Sequence, residues 1–433
     1  MNRSRLAGIA ILAVCLPMLA ACGGKDKQGA QMQWIEGAAP AAAQTTAAPT
    51  PASDANTPTQ TAMAPTAAAA AADLSAPVAT QASSEPAATT QPANIAAGPV
   101  GDAVKLTAAE LKTDKPNEIG LIPILEYHRL VKNSADEGAY VRPIAKFKKD
   151  LQWLYDHNFY VVSVRDIVEN TIAAPAGKHP VALTFDDSTA GQFRYLIAAD
   201  GSVTIDPDSA VGVMEAFHAA HPDFGRGGYF AVIASDATCF NWQGANAEDD
   251  QTKFCHQKIK WLLDNGYEVG NHTHTHHNMS DMTDDTFLKE IGQPFEWLNA
   301  IDPRNDADIF TVPFGVYPDK NKHHQQRVWM TGGFTYNGHD YKFIAVMNVG
   351  AEPTFAVNSS NYDPLFLSRI QMDDGTDYGF SDYWFPPMTG DPSWLYTSDG
   401  NPNTITVPNT IPSQDGSLNE DSIANQGKEL VRY

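Results

Sequence analysis

Short apolar runs alternating with stretches of helical periodicity fill the middle of this 433-residue chain, and they restrict its fold more than any other feature. Residues 122–127, 160–164, 181–185, 229–234, 267–270, 309–313, 343–347 and 365–370 read as buried strands. Between them, 144–157, 209–220, 253–265, 283–299 and 321–330 carry apolar residues at helical spacing. Strand and helix in turn predict parallel pairing, with functional groups at the C-terminal strand ends, as in a barrel.

The flanks cannot share that core. Residues 30–97 are Ala, Pro, Thr, Gln and Ser with almost no aromatic or branched apolar side chains. Such a stretch buries too little surface to offset backbone ordering, and its prolines make it a semi-extended tether. Before it, Arg3 and Arg5 precede an apolar run over 6–19 that is too short to span a bilayer and suits a secretory signal. The run ends in Leu19-Ala20-Ala21-Cys22-Gly23, which resembles the bacterial lipobox. That resemblance implies acylation of Cys22 and contact with the membrane through the lipid anchor only. Gly23, where an inner-membrane lipoprotein commonly has Asp, implies a cell-envelope address at the outer membrane, facing the periplasm. The expected division is 1–22 signal and lipobox, 23–105 tether, 106–396 folded catalytic domain and 397–433 polar tail.

With 29 Lys and Arg against 51 Asp and Glu, the net charge is −22. This excludes a nucleic-acid partner on electrostatic grounds, because phosphate binding needs clustered cations. Cys15 lies inside the signal and Cys22 carries lipid, leaving Cys239 and Cys255 as an even pair in an oxidising compartment. A disulfide between them would contribute about 3 kcal/mol by loop closure and staple 242–251. Two free thiols or a metal pair are the alternatives, although no further Cys is left to complete a thiolate zinc site.

Two clusters carry chemistry. The strand Val181-Ala182-Leu183-Thr184-Phe185 runs directly into Asp186-Asp187. Adjacent carboxylates ionise together only if a cation or proton relieves the repulsion, and a metal on one of them does so; alone, the pair reads first as an acidic turn after a strand. The second cluster is Gly270-Asn271-His272-Thr273-His274-Thr275-His276-His277, again after a strand, with four imidazoles in six positions. If helix follows Asn271, His272 and His276 share a face for chelation, while His274 points elsewhere and His277 flanks.

Thr184-Phe185-Asp186-Asp187, His272-Thr273-His274-Thr275-His276 and Val312-Pro313-Phe314-Gly315 resemble, in that order, the first three motifs of the polysaccharide deacetylases, the NodB-homology domain of carbohydrate esterase family 4. The resemblance covers roughly 122–370. It implies an α/β fold, a distorted (β/α) barrel, with Asp187, His272 and His276 holding one divalent metal: zinc, or cobalt or nickel, since the donor set suits all three. It further implies Asp186 as the base, the Phe314 backbone N–H as an oxyanion donor, and an acetylated polysaccharide as substrate, N- or O-acetyl.

Two positions depart from the family pattern. Phe310-Thr311-Val312 stands where the third motif usually begins with an Arg that orients the base, and Leu367-Ser368-Arg369-Ile370 replaces the late Leu-x-His that supplies the acid. These departures leave a second reading, a glycan-binding lipoprotein with a degenerate site. The early strand Ile124-Leu125-Glu126-Tyr127-His128 resembles that of the circularly permuted poly-N-acetylglucosamine deacetylases. A strand moved from the end of a closed barrel to its start occupies the same slot, making His128 the expected acid and Arg369 the candidate replacement cation beside Asp186. A structural His128, a plain salt bridge for Arg369, and His323, His324 or His339 as acid are the alternatives. Tyr383-Trp384-Phe385 and Trp394 read as core in preference to a sugar-stacking wall.

Overall fold

The structure is a computed structural model describing residues 105–132, 140–242, 251–350, 352–372, 380–412 and 415–433. The expected signal segment with Cys22, and the tether up to residue 104, lie outside the described residues. Among the described residues no helix is long and apolar enough to cross a membrane.

Seven strands form the frame: β1 (Ile124–Tyr127), β2 (His179–Phe185), β3 (Tyr229–Val232), β4 (Glu268–Asn271), β5 (Ile309–Thr311), β6 (Ala345–Met347) and β7 (Ile370–Gln371). They are ordered β6-β5-β4-β3-β2-β1-β7, every neighbouring pair parallel, and the strand Phe159–Val161 pairs with the start of β2 off this path. The last strand thus lies beside the first. The ring closes irregularly: Met347 at the end of β6 bridges Leu367, just before β7, and the Leu367 N–H donates to the Val346 carbonyl at 2.9 Å. The expected strand over 365–370 is reduced to Ile370–Gln371, because Leu367 is spent on this closure.

Helices α1 (Ile144–Asp156), α2 (Ala210–Ala220), α3 (Cys255–Asp264), α4 (Asp284–Ile301) and α5 (His324–Gly332) lie within a few residues of the predicted bounds. Local chemistry explains their starts. Ser209 caps α2 by accepting from the Gly212 N–H, and Thr283 caps α4 with Asp284 and Asp285 in its first turn, where the helix dipole favours negative charge.

Alternation along the strands sorts the core into two. Leu125, Leu183, Phe185, Phe230, Phe310 and Ile370 face outward and pack with helix residues such as Phe147, Ile259 and Phe287. Ile124, Ala182, Tyr229, Ile309, Ala345 and Met347 face inward and fill the barrel. The Tyr229 hydroxyl crosses this interior to donate to the Ile309 carbonyl at 2.7 Å. Gly270 makes room for it, since a Cβ there would sit 1.8 Å from the hydroxyl oxygen. Further along each strand the inward residues become polar: Glu126, Thr184, Asp186 and Arg369 are all buried. Charge therefore collects at the C-terminal mouth.

The segment 397–433 is not a polar tail. Thr404–Val407 pairs in parallel with Glu429–Arg432, and Ile405, Val407 and Ile423 bury against Ile119. The buried Glu118 carboxylate accepts from the Thr406 N–H at 2.7 Å, tying this segment to the start of the domain. Three branched residues supply the burial, too few to stand out in a polar stretch. The aromatic run is also split: Phe385 stacks on Trp153 at 4.0 Å in the core, but Tyr383 is 67% exposed.

Candidate active site

β2 ends in the acidic pair, and the backbone separates its two side chains. Asp187 (φ 75) and Ser188 (φ 53) occupy the left-handed region, which costs non-glycine residues of order 1 kcal/mol or more each. Asp186 continues the inward face of β2, whereas Asp187 turns toward the histidine loop. Each carboxylate then has its own cationic partners, which resolves the repulsion expected of neighbours.

Asp187 meets two imidazoles. Its Oδ1 lies 3.3 Å from His272 Nε2 and 3.1 Å from His276 Nε2. The expected helical face is not what joins the two histidines. Residues 272–278 form an irregular loop: the Asn271 side chain accepts from the Thr273 N–H and the Thr273 hydroxyl accepts from the His276 N–H, both at 2.9 Å, with Thr273 and His276 at positive φ. Side chains here outcompete the helical ladder for backbone donors. His274 points away, its Nδ1–H donating to the Ala234 carbonyl at 3.0 Å, and His277 is an exposed flank.

The donor set fits a divalent metal. Nδ1–H of His272 donates to the Thr311 carbonyl at 2.9 Å, which leaves Nε2 as the lone pair facing Asp187. Ligand atoms about 2.0 to 2.1 Å from one tetrahedral centre would lie about 3.3 Å apart, close to the two distances found, and all three donor atoms fall within 4.8 Å of one another. Burial pushes the Asp187 carboxyl up, but both histidines outweigh it and hold it well below the usual carboxylate range.

Asp186 faces a guanidinium. Arg369, fully buried just before β7, donates from Nη1 to Asp186 Oδ1 and from Nη2 to Oδ2, each at 2.8 Å, a bidentate fork. Nε donates to the Asn348 carbonyl at 2.8 Å and Nη1 to the Thr184 hydroxyl at 3.2 Å, so the head group is fixed in direction. Burial raises the Asp186 carboxyl and Arg369 more than offsets it, leaving it ionised below its ordinary value. Thr311, in the place of the usual Arg, contributes its backbone carbonyl to His272 instead.

His128 stands on the other side of Asp186, with Nε2 3.9 Å from Asp186 Oδ2 and 3.4 Å from Glu126 Oε1. β1 and β2 are in register, Tyr127 opposite Phe185, so the residues that follow them, His128 and Asp186, fall side by side on the opposite, inward face. Phe314 follows β5 in a one-turn Pro313–Gly315 helix at φ 58, with its ring 59% exposed and 4.5 Å from that of His276. His323 pairs with Asp281 at 2.8 Å and His339 sits in an exposed hairpin with Tyr336. Cys239 and Cys255 are joined by a disulfide.

Two residues near the site escaped the sequence reading. Glu126 is fully buried between Arg369 Nη2, at 3.3 Å, and His128. Its signal was a carboxylate two residues before His128 in an otherwise apolar strand. Trp242, whose ring centroid is 6.1 Å from that of His276, carried no sequence signal beyond its position after Cys239.

Residues 234–331 match the family model described as polysaccharide deacetylase. No curated protein matches the chain. Among solved structures, it is similar to the deacetylase PplD of Streptococcus pyogenes in complex with acetate (18% identity, 58% of this chain and 92% of that one, TM-score 0.42). It is also similar to IcaB of Ammonifex degensii (18% identity, 64% and 97%, TM-score 0.40) and to a de-N-acetylase of Aggregatibacter actinomycetemcomitans (15% identity, 60% and 98%, TM-score 0.39). The matched segment contains the histidine loop and the Pro-Phe-Gly turn, the two motifs that the barrel brings to the acidic pair, and over those residues this chain is similar to the polysaccharide deacetylases.

Proposed function

We propose that this protein is a metal-dependent hydrolase that removes acetyl groups from an N-acetylated or O-acetylated cell-envelope polysaccharide. One observation carries the reading: a two-histidine, one-carboxylate donor set lies directly beside a second carboxylate that is ionised by a buried guanidinium. Asp187, His272 and His276 would hold the metal, with zinc, cobalt and nickel all compatible. When bound, a divalent ion in such a site supplies Lewis-acid polarisation and lowers the pKa of water.

The chain's own residues do the rest. Asp186, held as the free carboxylate by Arg369, accepts the proton of the attacking water. His128, within reach of the same carboxylate, returns a proton to the departing sugar nitrogen or oxygen. The Phe314 backbone N–H at the rim donates to the carbonyl oxygen as negative charge develops there. Arg369 acts by positioning and charge, which answers the absence of Arg at position 311 and counts against a degenerate, binding-only site. The N-terminal lipobox-like sequence supports a lipid-anchored, outer-membrane address facing the periplasm, and the Cys239–Cys255 bridge is consistent with an oxidising compartment.

Acetate release from chitooligosaccharides, poly-N-acetylglucosamine and peptidoglycan, with zinc, cobalt or nickel and after chelation, tests the proposal. Turnover on at least one polymer, lost with the metal and restored by it, is expected. Glycan binding without acetate release from any of them would overturn it in favour of a binding protein.

A further inference from the structure

The six other tryptophans among the described residues pack against the main hydrophobic core; Trp242 does not. It is half-buried next to His276, and its shielded indole N–H has no acceptor among the described residues. A tryptophan placed for stability would be expected in a core cluster with its N–H satisfied.

The chain holds it there from two sides. The Trp242 backbone N–H donates to the Ser188 carbonyl at 3.2 Å and the residue bridges to Thr189, which fixes it to the turn that carries Asp186 and Asp187. Two residues before it, Phe240 is fully buried at φ 50, against Phe193 and Phe230. Cys239, also fully buried, is bonded to Cys255 at the start of α3. One turn along that helix, the buried Lys258 reaches back, its ammonium 5.6 Å from the Phe240 ring centre. Segment 239–242 is therefore clamped between the acidic turn and α3. Phe314 adds a second, exposed ring against His276, held in a backbone conformation that a bulky residue rarely adopts.

Resting on the deacetylase reading, we infer that Trp242 is the sugar-stacking wall of the substrate cleft, taking a pyranose ring of the acetylated polymer, and that the Cys239–Cys255 bridge positions it. The apolar C–H face of a pyranose packs on an indole, and a glycan hydroxyl satisfies the N–H.

The test compares W242A, W242L and W242F with the native chain on N-acetylated oligosaccharides, measuring kcat, KM, bound metal and quenching of tryptophan fluorescence by the glycan. W242A and W242L should raise KM by roughly tenfold with a much smaller change in kcat, and lose part of the quenching. W242F should recover most of the KM, because a ring remains. The C239S/C255S double variant should raise KM in the same direction with metal retained. Unchanged KM in W242A and W242L, or W242L matching W242F, would overturn the wall. Native protein that quenches with glycan yet releases no acetate would leave the wall standing and sink the deacetylase reading instead.

Discussion

Replacing Arg369 by methionine keeps the stem and removes the one guanidinium between two buried carboxylates. In the native protein the fork spans both oxygens of Asp186 at 2.8 Å and lies 3.3 Å from Glu126. Removing one member of a buried pair typically costs about 3–5 kcal/mol, because the remaining charge is left without compensation. Glu126 adds little beyond that: burial already pushes its carboxyl up, with Arg369 only partly offsetting it, so it protonates readily once the cation is gone. Asp186 sets the magnitude. In the native fold its carboxyl is held below the ordinary value, so its pairing stabilises the protein above the ordinary carboxylate pKa and that contribution is lost as pH falls through the depressed one. In the variant the largest lowering influence is gone and burial is opposed only by His272 and His128, so the folded-state pKa should rise above the unfolded one and stability should fall as pH rises through it. The native-minus-variant difference should therefore widen from pH 5 to pH 8 and reach about 3–5 kcal/mol at the upper end. Urea unfolding of both proteins in chelator, at the two pH values, measures this. A difference below about 1 kcal/mol at pH 8, or one that does not change with pH, would refute the buried-pair argument.

Alanine at Asp187, His272 or His276 should abolish metal uptake measured by elemental analysis, whereas Asp186→Asn should retain the metal and lose acetate release; an empty site in Asp186→Asn would mean the two carboxylates share the ion. His128→Ala should lower turnover by roughly 100-fold or more with metal content unchanged, and native activity in this variant would remove His128 from the proton path. Gly270→Ala should destabilise the barrel by about 1–3 kcal/mol through overpacking, and Tyr229→Phe in the same chain should recover part of the loss in a denaturation midpoint, since it removes the atom nearest the added Cβ.

Much of this molecule was legible along the chain because the relevant signals are local. The buried strand over 181–185 and the helices beginning near Ser209 and Thr283 follow from the residues of those segments alone. The acidic pair, the histidine cluster and the Pro-Phe-Gly turn each lie directly after a strand, so their meeting at one mouth follows once the strands run parallel. The pairing of Cys239 with Cys255 is the favoured reading from a count of cysteines and an expected oxidising compartment. Other features depended on register and on which neighbours happen to arrive. Arg369 finds Asp186 across 183 positions of sequence because β7 closes beside β1, and a shift of one residue in either strand would turn the guanidinium outward. The His272–His276 loop is bent by the side chains of Asn271 and Thr273, a competition that helical spacing cannot reveal. The 397–433 segment folds because three branched residues find Ile119 nearly 300 positions away. Periodicity reports whether a side chain can be buried on an element; which charge it meets there is set by tertiary register, and in this protein that register decides how the site is charged.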